Sequence, residues 1–130
     1  MRILVDTSSW VEALRHDGRE DVRERVRDLI VNGDAVLCDM VLLELCNGAR
    51  GEKERRELSR LHAELEVIPT GDETWVFARG LARRVRETGV TVPATDLLVV
   101  ACAATNGAGI EAVDDHIVQA WRIAAAMRQG

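Results

Sequence analysis

Apolar residues fall into two rhythms along this chain. Short unbroken runs predict buried strands at Arg2–Val5, Ala35–Cys38, Glu66–Ile68 and Ile110–Val113, and longer stretches with apolar residues every three or four positions predict helices between them. A short helix capped by Ser8 or Ser9 reaches His16; a second, from about Arg19 to Val31, sets Val22, Val26, Leu29 and Ile30 on one face and stops at Gly33. Asp39 is placed to cap a helix reaching about Ala49, and Leu58, Leu61 and Leu65 form the apolar stripe of a charged helix from Glu52 to Glu64. Pro69 stops the third strand, Asp72 caps a long helix ending before Gly89, and Val90 to Pro93 is extended. The helix from Thr95 to about Thr105 is apolar nearly all round, which places it in the middle of the fold. Gly107-Ala108-Gly109 ends it, and a last helix runs from Asp115 to about Met127.

Strands alternating with helices predict an α/β domain: a central, mostly parallel sheet of about four or five strands covered by helices on both faces. At 130 residues and 47% hydrophobic content, one domain over residues 1–130 is expected. No apolar stretch approaches the roughly 20 residues that span a bilayer, and Met1-Arg2 leads straight into a strand, so a cytoplasmic protein without membrane contact is expected.

Four acidic residues break the hydrophobic pattern. Asp6 ends Ile3-Leu4-Val5, Glu44 sits within Val-Leu-Leu-Glu-Leu, Asp96 opens Leu-Leu-Val-Val-Ala, and Asp114 follows Ile-Glu-Ala-Val. A charge at the border of a buried segment is normally avoided. Asp6 and Asp114 fall at the carboxyl ends of strands, where open parallel sheets bind ligands, and Glu44 and Asp96 reach that edge from helices beginning there. Converging at roughly 5 Å in an effective dielectric of about 20, each pair repels by about 3 kcal/mol, and six pairs by on the order of 20 kcal/mol. Net stability of a domain is only about 5–15 kcal/mol, so such a cluster takes up protons, admits water or holds cations. Oxygen ligands favour Mg²⁺ or Mn²⁺. Taken singly, Asp96 also reads as a helix-dipole acid and Asp114 or Asp115 as a helix cap.

The remaining chemistry is plainer. Cys38, Cys46 and Cys102 lie among apolar neighbours without metal-site spacing and read as core residues, as do Trp10, Trp75 and Trp121. His16, His62 and His116 are scattered, with only His116 near a proposed acid. The net charge of −5 weighs against a nucleic-acid binder, although cations bound by the acids neutralise part of it. Arg79, Arg83 and Arg86 share one helical face and are the best candidates to grip an RNA backbone.

Val-Asp-Thr-Ser-Ser-Trp at 5–10, Glu-Leu-Cys-Asn-Gly at 44–48, Val-Pro-Ala-Thr-Asp-Leu-Leu-Val-Val-Ala at 92–101 and Val-Asp-Asp-His-Ile at 113–117 occur in order. With these motifs the whole chain resembles the PIN-domain ribonucleases, most closely the VapC toxins of bacterial toxin–antitoxin pairs. The resemblance implies the PIN-like three-layer sandwich and an endoribonuclease dependent on Mg²⁺ or Mn²⁺. It places Asp6, Glu44, Asp96 and Asp114 at the family's four acidic positions, as catalytic residues and metal ligands. Asp114 and Asp115 are adjacent, and the Asp-x-His-Ile spacing favours Asp114, with Asp115 as its substitute. Water activated by metal would hydrolyse the phosphodiester, leaving a 5′-phosphate and a 3′-hydroxyl. Implied partners are an RNA substrate (transfer, ribosomal or messenger), a VapB-like antitoxin, and a second copy in a homodimer and toxin–antitoxin hetero-oligomer. Val41 and Ile117 depart from the Thr and Phe often found at those family positions. The alternative is a catalytically weak PIN module that binds RNA or protein. Receiver, dehalogenase-type phosphatase and dinucleotide-binding readings fail for want of their paired acids, Asp-x-Asp and Gly-x-Gly-x-x-Gly motifs.

Overall fold

A computed structural model describes residues 1–129. The elements run β1 (Ile3–Val5), α1 (Thr7–Leu14), α2 (Glu20–Val31), β2 (Ala35–Cys38), α3 (Asp39–Gly48) and α4 (Gly51–Glu64), followed by β3 (Glu66–Ile68), α5 (Asp72–Glu87), α6 (Ala94–Thr105), β4 (Gly109–Glu111) and α7 (Asp115–Gln129). The four strands form one sheet in the order β3-β2-β1-β4, parallel throughout. Right-handed crossovers put the connections stepping from β1 to β2 to β3 on one face and the return from β3 to β4 on the other. Accordingly α1 packs on α2, and α5, α6 and α7 pack against one another. This is the expected three-layer α/β sandwich.

The strands are buried because helices cover both faces. Leu4, Val5, Val36, Leu37 and Ile68 are all within 2% of full burial. Helix α6 is central as its sequence demands, with every side chain from Leu97 to Ala104 buried. Gly33 ends α2 at φ 75°, a left-handed conformation in which a side chain is strained.

The order 3-2-1-4 has one topological consequence. The chain leaves β1 toward β2 and returns to its other side as β4, so the switch point lies between the carboxyl ends of β1 and β4. The register Leu4↔Ile110 and Val5↔Glu111 brings those ends level, and the Asp6 N–H donates to the Glu111 carbonyl at 2.8 Å.

Several local expectations are corrected. Strand β4 covers Gly109–Glu111, not Ile110–Val113. It starts early because Gly109 pairs with Ile3, where an added Cβ would lie 2.7 Å from Ile3 Cδ1. It ends early because the Val113 N–H turns away to the Ser8 hydroxyl. The cap of α1 is Asp6, not Ser8 or Ser9; Cys38 and Gly71 hold the cap positions assigned to Asp39 and Asp72, which instead stand in the first helical turns. Cys38 and Cys102 are buried as expected, whereas Cys46 is exposed on α3. Trp10 is core, Trp121 is half-buried, and Trp75 is exposed beside Val76 on α5.

Candidate functional site

Asp6 follows β1 directly, at the switch point, and is only 3% exposed. Its Oδ2 accepts the Ser8 backbone N–H at 3.0 Å and the Ser8 hydroxyl at 2.6 Å, satisfying an orphan donor of α1. The same Ser8 oxygen accepts the Val113 N–H at 3.2 Å. One hydroxyl thereby ties the residue after β1 to the segment that delivers Asp114.

Asp114 is built in a similar way. Its Oδ1 accepts the N–H groups of His116 at 2.8 Å and Ile117 at 3.2 Å, capping α7. The capping turn carries the His116 ring back toward the acid, with Nδ1 3.6 Å from Oδ1. Ile117, one position on, is fully buried and anchors the turn.

Glu44 and Asp96 arrive from helices. Glu44 stands midway along α3, and its Oε1 accepts the Thr7 hydroxyl at 3.0 Å. Burial raises its pKa above the usual carboxylate value; the Thr7 hydrogen bond opposes this, and the Asp6 charge adds to it. Asp96 lies in the first turn of α6. Its pKa is pushed up to about 6, first by burial, then by the charges of Asp114, Asp6 and Glu44, with His116 pulling the other way. The charges of Asp114, Asp6 and Glu44 reach Asp96, with that of Asp114 the largest.

One ligand atom each from Asp96, Asp114 and His116 lies within 4.8 Å of the others. Asp115, on the first turn of α7, is exposed and stands outside this group. Arg79, Arg83 and Arg86 are exposed on α5, and among the described residues none is in an ion pair. Three participants were not assigned these roles from the sequence: Thr7 as the donor to Glu44, Ser8 as the link between Asp6 and Val113, and His116 beside Asp96 and Asp114. Capping geometry was the available signal, because a residue two or three places after a capping acid is drawn back to it.

No Arg or Lys among the described residues forms an ion pair with Asp6, Glu44, Asp96 or Asp114. The donors that meet them are hydroxyls and backbone N–H groups, which leaves negative charge uncompensated. An oxygen-rich set with one imidazole at its margin fits a hard divalent cation.

Residues 3–120 match the family model described as the PIN domain. Ribonuclease VapC11 of Mycobacterium tuberculosis is 34% identical over 112 residues, covering 83% of each chain, and a VapC ribonuclease of Mycobacterium bovis matches to the same extent. Among solved structures, VapBC-1 of nontypeable Haemophilus influenzae aligns over 92% of each chain with a TM-score of 0.73 and 18% identity. VapBC2 of Rickettsia felis, bound to a DNA fragment from its promoter, aligns over 85% of each chain with a TM-score of 0.70 and 19% identity.

Proposed function

The chain belongs to the PIN domain family, and from that premise we propose that it is the ribonuclease toxin of a VapBC-type toxin–antitoxin pair, cutting RNA with the help of Mg²⁺ or Mn²⁺. The observation that carries the metal-dependent part is the grouping of Asp96, Asp114 and His116 ligand atoms within 4.8 Å, with Asp96 and Glu44 both held above the usual carboxylate pKa by burial and neighbouring carboxylate charge. Residues 1–130 act as one catalytic domain. Asp6, Asp96 and Asp114 would hold the cation, with Glu44 completing its surroundings and His116 at the edge; the grouping of Asp114 with Asp96 and His116 supports Asp114 over Asp115.

When bound, the cation withdraws electron density from the phosphate and from the attacking water. The chain's own groups do the rest. Ser8 and the start of α1 fix one oxygen of Asp6, and the start of α7 fixes one oxygen of Asp114, so neither carboxylate has to be ordered during the reaction. Thr7 holds Oε1 of Glu44, leaving Oε2 to orient the water and accept its proton. The raised pKa of Glu44 makes it a better proton acceptor than an ordinary carboxylate. The water oxygen bonds to phosphorus as the bond to O3′ breaks, O3′ takes a proton from solvent water, and Glu44 returns its proton to solvent; a 5′-phosphate and a 3′-hydroxyl result.

Arg79, Arg83 and Arg86 offer unpaired cations along α5 for the RNA backbone. The partner is a VapB-like antitoxin, which the VapBC assignment of the solved neighbours supports, and a homodimer is the toxin unit that the family resemblance implies. Among the described residues no helix is long and apolar enough to cross a membrane, in keeping with action in the cytoplasm.

The purified, antitoxin-free chain is to be incubated with total RNA in Mg²⁺, in Mn²⁺ and in chelator, beside Asp6→Asn, and new RNA ends mapped. Discrete cuts that require metal and vanish in the variant are expected. Intact RNA throughout would instead favour a binding module.

A further inference from the structure

A pocket of about 450 Å³ lies between α1, α3 and α4 and shares Thr7 and Glu44 with the acidic site. Its size falls within the range of small-ligand pockets, roughly 300–1,000 Å³. Whatever fills it therefore lies directly beside the group on which the chemistry acts. Glu54 also lines the pocket, and its Oε2 accepts the Arg50 backbone N–H at 3.1 Å. Leu45 and Leu58 are buried and supply an apolar floor. Glu57 is half-buried, and among the described residues its carboxylate has no ion-pair partner. Arg15 and Arg50 line the same space, and both are exposed and outside any ion pair.

Resting on the ribonuclease reading above, we propose that this pocket receives the base of a nucleotide flanking the cut, and that Glu57 selects guanine there. An apolar floor suits the face of an unstacked base, and single-stranded RNA is read along the Watson–Crick edges of such bases. A carboxylate is acceptor-only and binds paired donors in bidentate fashion. Guanine alone presents two neighbouring N–H donors, N1–H and the N2 amine, on that edge. Adenine and cytosine offer a single amine beside a ring acceptor that a carboxylate repels, and uracil offers one N–H between two carbonyls. Arg15 and Arg50 complete the fit by meeting the phosphates on either side of the base.

The test uses antitoxin-free protein and a randomised RNA pool, with Mn²⁺ and sequencing of the 5′-phosphate ends. Wild-type cuts should be enriched for guanine at one fixed position beside the cleaved bond. In Glu57→Gln that enrichment should fall by roughly tenfold or more while metal-dependent cuts persist, since a bidentate base contact discriminates on that scale. A second variant, Gly48→Leu, narrows the pocket without a backbone clash, because a Cβ there meets nothing within 4 Å. It should flatten the same position of the profile. An unchanged guanine profile in both variants overturns the assignment and leaves the pocket to a protein arm. Failure of the ribonuclease reading itself looks different: no metal-dependent ends even from the wild type.

Discussion

Replacing Asp96 by Asn should make the cation-free protein more stable, although the residue is proposed to serve activity. The carboxyl titrates at about 6 instead of the ordinary 3.8. A difference of about two pH units at about 1.4 kcal/mol each amounts to roughly 3 kcal/mol of unfavourable interaction in the charged state. Asp96 remains partly open to water, and screening about halves this to roughly 1.5 kcal/mol. The direction follows from linkage: because the folded-state pKa is raised, the unfolded chain releases this proton first, and native stability falls as pH climbs from about 4 to about 6. Near pH 4 the folded carboxyl is protonated and the unfolded one only partly ionised, so most of the penalty is gone. Asparagine keeps the shape and removes the charge. At pH 8 in chelator its melting temperature should exceed the wild type's by about 5 °C, taking about 4 °C per kcal/mol for a chain this size. At pH 4 the gap should shrink to about 1 °C. Mg²⁺ should narrow the gap, because binding stabilises mainly the complete ligand set. A variant that melts lower than wild type at pH 8 in chelator would refute the reasoning and make Asp96 a structural acid of the α6 amino terminus. An advantage equally large at pH 4 would also refute it.

Two further outcomes are expected. Changing Arg79, Arg83 and Arg86 together to Ala should weaken RNA binding and flatten the slope of log affinity against log salt by about 2, at about 0.7 per lost phosphate contact with single-stranded RNA; a filter-binding salt titration reads this, and an unchanged slope removes α5 from the RNA path. Ile117→Ala, emptying a fully buried position that anchors the Asp114 turn, should cost about 2–5 kcal/mol in denaturant melts and lower metal affinity alongside, whereas a loss below 1 kcal/mol would show the α7 cap holding without its anchor.

The sequence exposed the parts of this fold that rest on hydrophobic periodicity. The alternation of runs and stripes located all four strands and seven helices, and the uniform apolarity of Leu97 to Ala104 marked α6 as central. The four acids were visible because each interrupts or borders such a run. Less legible were features set by partners distant in sequence. Nothing local says that the Val113 N–H prefers a hydroxyl on α1 to a place in the β4 ladder. Nor does spacing reveal that Trp75 and Cys46 face outward, since helix rotation is fixed by packing against neighbours. Glu57 lies in a segment whose interleaved acidic and basic residues suggest local ion pairing, yet it pairs with none of the described residues. Among possible caps, Asp6 beat Ser8 and Ser9 because it is the residue at which the chain turns from β1 into α1.

That double duty bears on how such a chain would decay once nobody needed its chemistry. Asp6 and Asp114 each begin a helix, so their loss harms folding even in a dead enzyme, where Asp-to-Ala changes at caps cost about 1 kcal/mol. Asp96 carries the reverse burden and is better gone, and Glu44, itself held at a raised pKa, shares some of it. A silenced descendant drifting under selection for solubility alone should shed Asp96 first and Glu44 next. It should keep Asp6 and Asp114, or their Asn and Ser stand-ins, as fossils of the active ancestor.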